Sequence, residues 1–186
     1  MRQQRIRPTG VEHTFAEDRI IVSKTDTRGL MTYVNQLFVE MSGYEEADLV
    51  GRPHNLIRHP DMPRAVFRLL WERVGAGEEI FAYVVNLRAD GGHYWVLAHV
   101  TPTVGPDGTV VGYHSNRRTA SRAALDQVRP LYAALVAEEA RHASTPEALA
   151  ASSALLDDLL ARRGTTYDEL VWSLDAAAAP TEGAAA

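Results

Sequence analysis

The sequence of 186 residues contains no cysteine. That absence removes disulfides, thiolate metal sites and thiol nucleophiles together, and it fits a reducing compartment. A run of about 18 apolar residues is also missing, as is the apolar centre of an export signal, so neither export nor a membrane span is expected and the default location is cytoplasmic. Surplus positive charge is lacking as well: the net charge is -5 and the pI about 5.8. The basic residues are interleaved with acids, and the one basic arm, Arg2, Arg5 and Arg7, is short. Both facts argue against a nucleic-acid partner.

Catalytic signatures are absent too. No Gly-rich phosphate loop occurs, Ser42, Ser115 and Ser121 lack the strand-turn-helix setting of a nucleophile, and the carboxylates are scattered. His54, His93, His99 and His114 show no paired ligand spacing on a helix, so no metal site is expected and each reads first as a structural histidine. No kinase, cyclase or methyl-accepting segment follows the candidate domain within these residues. The expectation is a non-enzymatic module whose output goes through binding.

What is present is a chain with 46% hydrophobic residues, enough for one main domain with an appendage. Its most unusual stretch is 51–63, Gly-Arg-Pro-His-Asn-Leu-Ile-Arg-His-Pro-Asp-Met-Pro, with three prolines, two histidines, two arginines and an aspartate. Pro60 and Pro63 fix their own φ and bias their neighbours away from one long helix, so Arg58, His59 and Asp61 are displayed on short, stiff turns.

Regular elements surround this stretch. Arg19 to Lys24 and Leu30 to Val34 read as a β-hairpin around a turn ending at Gly29. Asn35 can cap a helix carrying Leu37, Phe38 and Met41, which Gly43 ends. Glu45 to Val50 is a second short helix. Arg64 to Val74 is an amphipathic helix, with Val66, Phe67, Leu70, Trp71 and Val74 at three- and four-residue steps. Ile80 to Arg88, His93 to Val104 and Thr109 to Arg118 then form a three-strand meander, separated by Asp90-Gly91-Gly92 and Pro106-Asp107-Gly108. Segregated runs of strands and helices imply an α+β fold: a five-stranded antiparallel sheet with short helices on one face.

Within this order stand Thr25-Asp26, Tyr33-Val-Asn35, Ser42-Gly43-Tyr44, Pro53-His54-Asn55, Arg58-His-Pro-Asp-Met-Pro63, Trp71, Asn86, His93-Tyr94-Trp95 and Gly112-Tyr113. Together they resemble a PAS sensory domain, most sharply the flavin-binding PAS domain of bacterial aerotaxis receptors, over roughly Arg19 to Ala123. The resemblance implies a pocket between helices and sheet holding non-covalent FAD, whose redox state reports on oxygen or electron transport. By this likeness Arg58, His59 and Asp61 are the positions where the cofactor is expected. Arg58 would pair with phosphate or a ring carbonyl, His59 would donate to or pack on the flavin, and Asp61 would orient either. Trp71 would supply an aromatic wall, and Asn86 an amide that both donates and accepts.

One position departs from the family: Ile80 stands where the aerotaxis receptors carry tryptophan, followed by Phe81, Ala82 and Tyr83. Two other readings therefore stand beside FAD. One is a ligand-free interaction and dimerisation module whose pocket is filled by Ile80, Phe81 and Tyr83. The other is a haem sensor with a single axial histidine. On the meander, Tyr94 and Trp95 alternate, and Trp95 is expected to face the core without a ligand role.

The domain boundaries expected are a flexible N-terminal arm (1–18), the sensor domain (19–121), a helical extension (122–175) and a disordered low-complexity tail (176–186). In the extension, Arg122 to His142 carries an apolar stripe interrupted by Pro130, which is expected to kink or divide it. A second helix starts at Ser144-Thr-Pro-Glu147 and runs to Gly164, and a third covers Thr166 to Leu174. These leucine-rich helices must cover their own domain, each other, a second copy or a signalling partner. A homodimer through the arm or these helices is one expected assembly.

Overall fold

The computed structural model describes residues 6–176. Residues 177–186, most of the tail expected to be disordered, lie outside them. Strand β1 (Ile21–Thr25) turns into β2 (Met31–Val34), followed by helices α1 (Gln36–Ser42) and α2 (Glu46–Leu49). A single 3-10 turn (His54–Ile57) leads to α3 (Arg64–Gly75). The meander β3 (Ile80–Leu87), β4 (His93–Val104) and β5 (Val110–Thr119) completes one five-stranded sheet in the order β2-β1-β5-β4-β3, with every pairing antiparallel. Helices α4 (Arg122–Glu139), α5 (Thr145–Arg163) and α6 (Tyr167–Ala176) follow.

Local chemistry places the ends of these elements. The Asn35 carboxamide oxygen accepts from the Phe38 N–H, capping α1, and also from the Val22 N–H, while its amide donates to the Ile20 carbonyl. One side chain thus caps the helix and staples it to β1. Gly43 ends α1 at φ 73°, in the left-handed region where glycine carries no Cβ penalty. Burying the wholly enclosed Phe38 contributes about 1.5–3 kcal/mol.

Alternation along the strands sorts the sheet into two faces. Ser23, Val84, Ala98, Ser115 and Arg117 share the face that meets α3, where Phe67, Leu70 and Trp71 approach them. Phe81, Tyr83 and Trp95 therefore point to the opposite face. Helices α4 and α6 cover that second face: Tyr132 packs on Trp95 at 5.8 Å between ring centroids, and Trp172 packs on Phe81 at 4.6 Å. Helix α5 packs against both α4 and α3. The short helices α1 to α3 occupy one face as expected, and the extension adds a layer on the other and closes around the β3 edge.

That edge is managed by specific groups. The Tyr132 hydroxyl donates to the Tyr83 carbonyl at 2.5 Å, and the backbone at Arg58 bridges to Asn86 further along the strand. Both contacts cap an edge that would otherwise offer free strand groups to another chain. Helix α4 runs unbroken through Pro130, so the expected division does not occur. Proline removes the bond to the carbonyl four residues earlier. Pro130 and Asp126 are both exposed, and water can satisfy the freed carbonyl.

Part of the segment expected to be a flexible arm is hydrogen-bonded along the start of β4: Thr9 N–H to the Gly91 carbonyl, His13 N–H to the His93 carbonyl, and His93 N–H to the Val11 carbonyl. The Glu12 carboxylate accepts from Arg122 and Arg129 of α4 at 2.8 and 2.9 Å. Among the described residues no helix is long and apolar enough to cross a membrane.

Candidate ligand cavity

A cavity lies between α3 and the inner face of the sheet. Its whole volume, mouth included, is about 480 Å³. Val84, Ala98 and Val100 of β3 and β4, with Phe67 and Leu70 of α3, make an apolar wall. Ser23 and Thr25 of β1, with Ser115 and Arg117 of β5, make a polar one. Trp71 stands at the mouth, edge-on to Tyr113 at 5.4 Å, and its ring passes 3.1 Å from where a Cβ on Gly29 would lie. Gly29 has φ 77°, so the hairpin turn and the seat for the tryptophan use the same glycine.

Arg117 is 4% exposed. Its Nη2 donates to Ser23 Oγ at 2.9 Å and to His54 Nε2 at 2.7 Å, and the guanidinium lies 5.5 Å from the Phe38 ring centroid. Its Nη1 has no partner, and neither do Thr25 Oγ1 and Ser115 Oγ. Burial pushes the Arg117 pKa down to about 10, which still leaves it charged at neutral pH. Burial, aided by the adjacent Arg117 charge, lowers His54 to about 3, so the imidazole stays neutral and accepts from the guanidinium. A nitrogen engaged in this way is a poor haem ligand. On the same face, Asn86 Nδ2 and the Tyr94 hydroxyl are also buried without partners, at positions directly opposite each other in the β3–β4 register. Desolvation raises Tyr94 to about 12.

The residues expected from the sequence divide between the cavity and its supports. Trp71 lines the cavity. Arg58 lies beside Phe67, with its guanidinium 5.3 Å from the ring centroid and its Nη2 donating to the Met62 carbonyl at 2.6 Å. It therefore meets the cavity only through the phenyl ring. His59 is buried; its Nδ1 accepts from the Asp61 N–H at 3.1 Å, and its ring stands 5.5 Å from His93. Asp61 is exposed, with a carboxylate oxygen 3.6 Å from His59 Nδ1. Asn86 is buried on the inner face.

Phe81 and Tyr83 do not fill the cavity and do not replace the missing tryptophan. Strand alternation sends both to the far face, where Phe81 stacks on His99 at 4.1 Å. Ile80 pairs with Val100 and is buried in the core. The polar wall of Ser23, Thr25, Ser115 and Arg117 was not picked out from the sequence as a site. Its signal is an i, i+2 polar pair on each of two neighbouring strands, a pattern shared with any solvent-facing side of a sheet.

Residues 31–117 match the family described as the PAS fold. The chain is 43% identical over 120 residues to the aerotaxis receptor of Escherichia coli (strain K12), covering 64% of this chain and 24% of that protein. It therefore spans about a quarter of that receptor's length. A LOV domain from the blue-light activated histidine kinase of Erythrobacter litoralis EL346 superposes with TM-score 0.50 at 21% identity, covering 54% of this chain and 94% of that one. A Light-Oxygen-Voltage domain studied with a flavin analogue superposes with TM-score 0.51 at 21% identity, covering 66% of this chain and 87% of that one.

Proposed function

Because this chain carries a PAS domain over residues 31–117, we propose that it is a sensory module that holds a flavin, FAD by analogy with the family of its 43% identical relative, in the cavity between α3 and the sheet. The observation that carries the reading is the cavity itself, with its apolar wall facing buried donors that have no partner. Flat apolar surface and convergent hydrogen-bond donors are what a fused planar ring with carbonyl acceptors requires. Trp71 at the mouth and Leu70 beside it would have to turn outward to admit a three-ring system.

A bound flavin would supply a ring whose charge and hydrogen bonding change with redox state. The chain's own groups would do the rest. Phe67 and Trp71 would flank the ring. Arg58 would hold Phe67 in place through its stacked guanidinium, and His59 would fix the turn by accepting the Asp61 N–H. Asn86 and Tyr94 would offer polar atoms deeper on the same face. A change at Asn86 would travel along β3 to the Tyr83 carbonyl, where the Tyr132 hydroxyl connects the strand to α4. Output would then be a change in the contacts of the C-terminal helices with a signalling partner, without catalysis by this chain.

The test is the absorption spectrum of the purified protein, alone and after incubation with FAD. Flavin bands that stay with the protein on gel filtration, and weaken in Arg58→Ala and His59→Ala, support the reading. A colourless protein that takes up no FAD overturns it.

A further inference from the structure

We infer that Arg117, Ser115 and Thr25 form one subsite in this cavity that accepts the negatively charged or strongly hydrogen-bond-accepting edge of a planar ligand. The inference rests on the reading of the cavity as a ligand site and adds which wall the ligand's polar edge meets. Three unpartnered polar atoms converge there: Arg117 Nη1, Ser115 Oγ and Thr25 Oγ1, on neighbouring strands β1 and β5. Register places Ser115 across from Ser23 and Thr25 across from Tyr113, so the hydroxyls and the guanidinium form a contiguous polar strip. The wall made by Val84, Ala98 and Val100 with Phe67 and Leu70 is apolar, so the charged and hydroxyl groups that line the cavity lie on β1 and β5.

The charge is not balanced from within. Arg117's two bonded partners, Ser23 and His54, are neutral, and the group that acts on it favourably is the Tyr94 phenol, itself neutral at physiological pH. Among the described residues no carboxylate stands in ion-pair distance of Arg117. A buried cation without an anion disfavours the folded state, and a buried donor left unmade costs its full desolvation. Both penalties are relieved by a ligand that brings negative charge or strong acceptors to this strip. The near-isosteric replacement Arg117→Met should therefore do little harm to the ligand-free protein and much harm to binding.

Two measurements decide the matter. In ligand-free protein, Arg117→Met is expected to melt at or above the wild-type temperature. A clear drop in Tm means that Arg117 serves as a structural anchor for His54 and Ser23, and the inference falls. With FAD as the probe, Arg117→Met is expected to bind about tenfold or more weakly. The imide proton of wild-type-bound FAD should titrate at lower pH than in free FAD, a shift absent from the variant. Unchanged affinity and an unshifted titration overturn the inference. Ser115→Ala keeps the cation and serves if Arg117→Met does not fold: weaker FAD binding at unchanged ligand-free Tm supports the subsite, and wild-type affinity overturns it. If wild-type protein binds no FAD, the proposed function fails on its own, and the ligand-free melting comparison still decides the role of Arg117.

Discussion

His54, His59 and His93 are each held below the ordinary histidine range, chiefly by burial, so all three tend to stay neutral in the fold when the unfolded chain has begun to protonate. A depressed histidine pKa contributes stability that is fully present above the unfolded value of about 6.5 and is lost as pH falls below it. Urea denaturation is therefore expected to show stability falling between pH 7 and pH 5, with up to about 1.4 kcal/mol per pH unit from His54, which stays neutral over the whole interval, and smaller contributions of the same sign from His59 and His93. A flat profile over that interval would contradict the burial of these rings. Asn35 supports a second residue-scale prediction. Asn35→Ala removes a helix cap and two further backbone contacts at once, and should destabilise by about 1–2 kcal/mol in the same assay. The roles of Asn35 and Gly43 were legible in the sequence because capping is decided within a few residues. The role of Arg117 was not, because its burial depends on α3 closing over a face formed by strands far apart in the chain.

Among the elements, the strands and their hairpins were readable from alternation and turn residues, since Gly and Asp at the turns and β-branched runs between them act locally. Helix α4 was read less well. Its sequence shows Pro130 but not that Asp126, four residues earlier, faces water, which lets the helix continue. Pro130→Ala is accordingly expected to stabilise the protein by about 1–3 kcal/mol, by restoring one helical bond without altering the fold, as read from thermal or urea unfolding. Tyr132→Phe tests the edge of β3. Losing the hydroxyl leaves the Tyr83 carbonyl without that partner, and should destabilise by about 1–3 kcal/mol and speed hydrogen exchange in β3. Equal exchange in wild type and variant would show that the hydroxyl does not hold the edge.

In the whole molecule, the C-terminal helices share one hydrophobic cluster with the sheet, and charged groups tie the N-terminal segment to them. Glu12 ties the arm to α4 by its ion pairs with Arg122 and Arg129, while Arg129 lies over Trp95 on the outer face of the sheet. Glu12→Gln should weaken these contacts and raise hydrogen exchange over residues 9–13 and the start of α4, with little change in the inner core. The sequence announced amphipathic helices after residue 121 but not the surface they cover. That is set by apolar residues of β3 and β4, which strand alternation turns to the far side. The near side of the sheet holds the cavity proposed as the seat of a flavin. Gel-filtration uptake of FAD by wild-type protein and by Ala98→Phe, which fills the cavity from its apolar wall, tests it most directly. Stoichiometric uptake by wild type and loss in a variant with unchanged circular dichroism is the predicted result, and equal uptake by both proteins would place the ligand elsewhere and contradict the account.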